Sequence, residues 1–269
     1  MSQALRYISK LQNQRLLVLG GTSGIGFCVA EAALEYGAQV IVSSSNEAKL
    51  SKALDRLQSG ITAKGLSGQL SVSGTQCDLS DATKLEENLT KALDFATENR
   101  SRLLDHIVFT AGPALKIPKI PEITVEALNE NNLVRVVAPT ILAKLIPNYV
   151  KQAVTSSLTL TSGSTLHRPP VGWAAMTSMS GAVEGLANGL AVDLKPVRVN
   201  AVSPGAVYTE IFSDIDSEKL QSVLDGFKEA SLTKTVGTPE ELAESYIYAM
   251  KNSFATGTVI LADGGKLLA

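Results

Sequence analysis

An apolar run, RLLVL, ends in a cluster of glycines and passes directly into a helical pattern: RLLVLGGTSGIGFCVAEAALEYGA, residues 15–38. An apolar strand without polar alternation is one buried on both faces, as in a parallel sheet covered by helices. Parallel strands cannot be joined by tight hairpins, so a crossover helix must follow the strand. Gly20, Gly24 and Gly26 stand at G-x-x-x-G-x-G spacing in the turn. Glycine there permits the tight turn and lets backbone approach a diphosphate. The phosphate charge then rests on amides at the helix N-terminus, with Thr22, Ser23 and Ile25 completing the loop. Glycine spacing alone is weak evidence; between a strand and a helix, at the head of a βαβ series, it points to a dinucleotide. The competing reading is a tight turn that holds no ligand.

The rest of the chain repeats the alternation. Strands are predicted in QVIVSSS, LSVSGTQCDLSD, LLDHIVFTAG, AVTSSLTLTSGS, VRVNAVSPG and GTVILADGG. Helices are predicted in GFCVAEAALEYGA, stopped at Gly37; in NEAKLSKALDRLQ, opened by Asn46; and in ATKLEENLTKALDFATE, TVEALNENNLVRVVAPTILAKLI and PEELAESYIYAM. The pattern predicts an α/β chain with a single Rossmann-like, doubly wound domain over residues 1–269, its seven-stranded parallel sheet carrying helices on both faces. The least regular piece, roughly 205–235, follows a strand's carboxyl end, where a doubly wound fold places its ligand crevice; it is the candidate substrate lid.

Composition excludes several classes of partner. A net charge of −2 with scattered cations and 5% aromatic residues gives no footprint for nucleic acid or an anionic membrane. Cys28 and Cys77 form no CxxC pair and read as reduced thiols packed inside; no cluster suggests a metal. The first fifteen residues, MSQALRYISKLQNQR, lack the apolar core of a signal peptide or span, so a cytoplasmic protein is expected.

The end of the second strand is where such folds read the adenosine ribose. A carboxylate there would hold the ribose hydroxyls and repel a 2′-phosphate. Here it is Ser43, Ser44, Ser45 and Asn46, with no carboxylate until Glu47. Hydroxyls and an amide donate to phosphate, which favours NADP(H) over NAD; the same residues also suit strand-end and capping duties.

With these pieces in order, the chain resembles the short-chain dehydrogenase/reductase family over nearly its whole length. The resemblance rests on LGGTSGIG (19–26), CDLSD (77–81), TAG (110–112), AVEGLANGLAVDL (182–194), VRVNAVSPGAVYTE (197–210) and ADGG (262–265). It implies that Asp78, with Leu79 beside it, contacts adenine, that Ala111 and Gly112 line the ribose, and that Pro204, Gly205, Val207 and Thr209 hold the nicotinamide carboxamide and diphosphate. It also implies a dimer or tetramer.

The resemblance breaks at the chemistry. The family uses an Asn–Ser–Tyr–Lys set in which tyrosine is the acid and lysine lowers its pKa. Alignment on GAVEGL puts the tyrosine at Met176 and the lysine at Ser180. The serine falls near Gly163, between Ser162 and Ser164, and the asparagine near Arg135, with Asn132 one turn away as the other match. Methionine donates no proton and serine carries no charge. His167, in the proline-stiffened TSGSTLHRPPVGW, is the best-placed titratable group, against a plain loop role; Arg135 and Arg168 suit a phosphate or carboxylate. Trp173 and Met176 suit a pocket wall for an apolar or polycyclic substrate, Trp173 being equally suited to a core or interface. Tyr208, beside the nicotinamide loop, is a wall residue first and a substitute acid second.

An acceptor that already carries positive charge needs only a hydride, so such a site suits an iminium or another polarised C=N or C=O. The resemblance extends to a divergent branch lacking the Tyr-x-x-x-Lys pair, similar to fungal alkaloid-tailoring reductases of the malbrancheamide type. Those reduce an iminium with NADPH and shape a [4+2] cycloaddition, with an aspartate in the loop matched here around His167. This chain has none there. Three functions are therefore carried forward: an NADP-dependent reductase of secondary metabolism, a cofactor-retaining cyclase or isomerase, and a non-catalytic dinucleotide sensor.

Overall fold

Seven parallel strands lie side by side in the order β3-β2-β1-β4-β5-β6-β7. They are β1 Arg15–Leu19, β2 Gln39–Ser44, β3 Ser71–Gln76, β4 His106–Phe109, β5 Ser157–Thr161, β6 Arg198–Pro204 and β7 Val259–Ala262. The computed structural model describes residues 6–63, 65, 70–113, 119–210 and 216–269. The sheet order reverses between β1 and β4, which opens a crevice at their carboxyl ends. The register there pairs Leu19 with Ser43 on one side and with Phe109 on the other.

Crossover helices cover both faces. α1 Gly24–Glu35, α2 Glu47–Ala63 and α8 Pro239–Lys251 bury one set of strand side chains. α3 Leu85–Ala96, α5 Ala138–Tyr149 and α6 Ala174–Asp193 bury the other. Leu17, Leu89, Leu93, Ile107 and Leu142 are fully buried, each removing about 1.5–3 kcal/mol of apolar surface from water. Gly37 takes φ +84°, which stops α1, and Asn46 Oδ1 accepts the Lys49 N–H at 2.9 Å to open α2.

Two elements differ from expectation. The long helical stretch after β4 is broken into α4 Val125–Asn132, a π turn over Leu133–Val137, and α5. The irregular 205–235 segment contains a helix, α7 Ser217–Glu229, opened by Asp216, whose side chain accepts the Glu218 N–H; its alternating Leu, Val and Phe sit among charged residues, which masked the periodicity. Residues 211–215 of the expected lid lie outside the described residues.

Buried polar groups are tied down away from the crevice. His106, at the start of β4, lies between Ser157 Oγ at 2.8 Å and Gln14 Oε1. Burial, with Arg198 and Lys151 nearby, pulls its pKa down to about 3. Arg198 donates to the carbonyls of Val154, Ala249, Met250 and Ala255, tying β6 to the end of α8. Cys28 and Cys77 are buried free thiols, pushed up to about 12 by burial.

Candidate active site

The glycine loop is locked by backbone against backbone. Gly20 takes φ +89°, and a Cβ there would stand 2.6 Å from the Ala111 nitrogen. A Cβ on Gly26 would stand 2.3 Å from the Gly20 carbonyl oxygen. Gly20 and Gly21 donate to the Ser43 carbonyl at 3.0 and 3.2 Å. Thr110 Oγ1 reaches the carbonyls of Leu19 and Gly20 at 3.1 and 3.2 Å, tying the exit of β4 to the loop. α1 then starts at Gly24 with no side-chain cap from Ser23, so its first-turn N–H groups and dipole face the crevice. Across the cleft, Thr209 Cγ2 and Glu210 Oε2 lie 3.3 and 3.4 Å from where a Gly24 Cβ would sit. An uncapped helix start framed by close glycines fits a diphosphate.

Further residues expected to bind the dinucleotide lie along the same strand ends. Ser43 is buried and Ser44 half-buried, while Ser45 and Asn46 are exposed. Ser44 Oγ accepts the Asn46 N–H at 3.2 Å, so part of this donor set also shapes the turn. Asp78 Oδ1 accepts from Ser80 N and Oγ at 2.9 and 2.7 Å, and Leu79 is buried beside it. Ala111 and Gly112 form the exit of β4 against the glycine loop and Arg135. On the other side Pro204 closes β6, Gly205 donates to the Ala262 carbonyl at 3.0 Å, Val207 is buried, and Tyr208 is exposed.

The acid positions converge but carry different chemistry. Met176 and Ser180 stand one turn apart on α6, 5% and 4% exposed. A Cβ on Gly163 would lie 3.4 Å from Ser180 Oγ. Residues 163 and 180 are thus neighbours, and position 176 carries a thioether where 180 carries a hydroxyl. Tyr246, on α8 across the sheet, holds Thr161 Oγ1 at 2.8 Å with its pKa raised by burial. Tyr149 is engaged with Asp94 and Arg100 at the far end of α5.

The hydroxyls flanking Gly163 part company. Ser164 is 1% exposed and its buried Oγ has no hydrogen-bond partner among the described residues. Ser162 Oγ approaches the Ser180 carbonyl at 3.2 Å and donates to Glu184 Oε1 at 2.9 Å. Glu184 Oε2 stands 3.3 Å from His167 Nε2. Glu184 was not singled out from the sequence, although a carboxylate four residues beyond Ser180, on the buried stripe of an apolar helix, is a legible signal. Thr110 was likewise read only within TAG (110–112), where the family's motif begins with a different asparagine from the one matched near Arg135.

Arg135 occupies the π turn, a geometry that recurs at functional sites. Its guanidinium is so close to the β4 exit that a Cβ on Gly112 would meet Cζ at 2.4 Å. Nη2 donates to the Pro113 carbonyl at 2.7 Å, Nε has no partner among the described residues, and burial lowers the pKa. Asn132 ends α4 just before it. Trp173, half-buried, caps α6. Arg168 is committed elsewhere, donating to the carbonyls of Lys266 and Ala269. Among the described residues no cluster of His, Cys, Asp or Glu could hold a metal, and no helix is long and apolar enough to cross a membrane.

A parallel sheet with this order and a glycine-framed crevice at its switch point defines a nucleotide-binding α/β protein. The family model of the SDR-like Rossmann domain matches residues 7–269, and the chain belongs to the short-chain dehydrogenase/reductase family. That fold binds a nicotinamide dinucleotide, and the family's enzymes are oxidoreductases. The chain is 40% identical over 268 residues to the short-chain dehydrogenase/reductase malC of Malbranchea aurantiaca, covering 100% of both. It is also 40% identical over 266 residues to ucsE of an Acremonium species, covering 99% of this chain and 100% of that one. It superimposes on the solved structure of MalC Reductase/Diels-Alderase from Malbranchea aurantiaca with a TM-score of 0.92, covering 98% of this chain and 100% of that one.

Proposed function

We propose that this protein is an NADP-dependent reductase that places a hydride on a cationic or strongly polarised C=N or C=O acceptor in secondary metabolism. It works as a single-domain protomer of a dimer or tetramer in the cytoplasm. One observation carries the reading. The diphosphate cradle is closed by backbone contacts, while residue 163 lies beside 180, one helical turn from 176, and the three are glycine, serine and methionine. When bound, the dinucleotide supplies a hydride from its nicotinamide ring.

The chain's own residues orient and exclude water. The uncapped start of α1 holds the diphosphate, and Ser44, Ser45 and Asn46 donate to the 2′-phosphate. Pro204, Gly205, Val207 and Thr209 fix the nicotinamide end. Trp173, Met176 and Tyr208 shape an apolar wall, and fixed geometry lowers the barrier by pre-ordering the reactants. Without a lysine at 180, the family's ammonium, which would repel a cation, is missing from that position. Arg135, held on the Pro113 carbonyl, serves a phosphate or substrate oxygen, and His167 is the candidate titratable side chain.

The test is incubation with NADPH deuterated at C4 and the N-methyl-3,4-dihydroisoquinolinium ion. Transfer of deuterium to C1 of the product, with NADPH bound more tightly than NADH, is the expected result. No binding of either dinucleotide overturns the reading. A cyclase reading rests on the full-length likeness to MalC, named a reductase and Diels-Alderase; cyclised product from a diene-bearing substrate with no NADPH consumed would select it.

A further inference from the structure

The polar groups around α6 form a chain that the reading above does not use. Glu184 is buried, its side chain 10% exposed, and both carboxylate oxygens are engaged. Ser162 Oγ holds Oε1, and His167 Nε2 faces Oε2. Ser162 is itself fixed by its N–H, which donates to the Val202 carbonyl at 2.8 Å. The His167 ring is 39% exposed and belongs to the short turn that leaves β5 for α6. A buried carboxylate on one ring nitrogen orients the ring and leaves Nδ1 as the nitrogen that can meet another partner. Among the described residues the charged side chain next to this pair in the chain is Arg168, whose guanidinium is turned to the Lys266 and Ala269 carbonyls.

We propose that His167, positioned by Glu184, supplies a proton to the crevice, which extends the acceptor range from cations to neutral carbonyl compounds. This rests on the hydride-transfer reading and deepens it. In the step, a hydride from the reduced dinucleotide adds to the carbonyl carbon and the C=O π bond breaks. Its electron pair moves onto oxygen, which takes the proton from the imidazolium; the neutral ring then regains a proton from water. Reduction of an iminium needs no such proton, so the two acceptor classes separate the roles. Glu184 is a positioning residue, acting through His167.

The first test needs no turnover. The chain has two histidines, and the ring signal in proton NMR that is lost in His167→Gln is that of His167. In Glu184→Gln, which keeps the hydrogen bond from Ser162, that ring signal shifts at fixed pH. An unmoved signal overturns the pairing. The second test compares isatin, a neutral ketone, with N-methyl-3,4-dihydroisoquinolinium. His167→Gln lowers the isatin-to-iminium ratio of kcat about 100-fold, the scale of one general acid, and Glu184→Gln lowers it about tenfold. An unchanged ratio in a folded His167→Gln protein, or an iminium reduced while isatin is untouched by the parent, overturns the proposal. If neither acceptor consumes NADPH, the hydride-transfer reading falls and the proposal with it.

Discussion

The two walls of the crevice are built by different means. The β1–α1 wall is set by backbone: Gly20 and Gly21 donate to the Ser43 carbonyl, and a Cβ on Gly20 or Gly26 would strike the Ala111 nitrogen or the Gly20 carbonyl. The β5–α6 wall presents side chains, and there residues 163, 176 and 180 are glycine, methionine and serine. A backbone-set wall is hard to alter one residue at a time, because a Cβ added at Gly20 or Gly26 collides with main chain. Side-chain chemistry can be exchanged while the scaffold stays, and on this wall Glu184 pairs with Ser162 and His167.

The largest effect that tests this contrast is Gly26→Ala. The added carbon would sit 2.3 Å from the Gly20 carbonyl and 2.4 Å from Thr110 Oγ1, so the loop must move. Overpacking against backbone is expected to cost about 3 kcal/mol or more and to abolish NADPH binding, read by thermal melts and fluorescence titration. A variant that melts and binds like the parent breaks the claim that this wall is fixed by main-chain contact.

Next in size is a gain on the other wall. Gly163→Ser with Met176→Tyr and Ser180→Lys restores the family's serine, tyrosine and lysine at positions that are already neighbours. Ketone reduction is expected to rise about 100-fold over the parent, measured as NADPH consumption with small ketones. Gly163 has room for the added Cβ, its nearest neighbour being Ser180 Oγ at 3.4 Å. No gain in a folded triple variant that still binds NADPH would place the altered chemistry beyond these three residues.

Much of this was legible in the chain. Both-face burial made β1, β2 and β4 read as apolar runs, and glycine positions reported backbone demands directly, so the parallel seven-stranded sheet followed. The π turn did not, because one extra residue in a helical turn leaves no mark in a 3.6-residue period, and Arg135 could not be separated from Asn132. Glu184 was passed over since it lies within an otherwise apolar helix stripe, and its partners come from a turn whose path the sequence does not encode. α7 was hidden by an amphipathic pattern too polar to stand out from loop.

pH offers a third comparison, between the two histidines. His106 lies at the opposite end of β4 from the crevice, and burial lowers its pKa to about 3. Unfolded, it titrates near the ordinary value of about 6.5. Between those values the unfolded chain binds a proton that the folded chain refuses, so stability falls as pH drops through that window, by up to about 1.4 kcal/mol per pH unit. His106→Gln is expected to flatten that part of the pH–stability curve in urea melts. His167→Gln is expected to leave it unchanged and to lower the isatin-to-iminium ratio of kcat instead. A common response in both variants would break the division of roles.

The smallest effect concerns Thr110, where the family's asparagine has been exchanged on the backbone-built wall. Its hydroxyl is shared between the Leu19 and Gly20 carbonyls, so it serves the loop and not the substrate. Thr110→Val keeps the shape and removes the donor, which is expected to cost about 1–1.5 kcal/mol in a urea melt. NADPH affinity should weaken by the same route, since a loosened Gly20 disturbs the amides that face the diphosphate. Thr110→Ser, keeping the hydroxyl, should stay within about 0.5 kcal/mol of the parent. If valine lowers turnover with affinity and stability intact, Thr110 acts on the reaction itself, and the line between a structural wall and a chemical wall must be redrawn through β4.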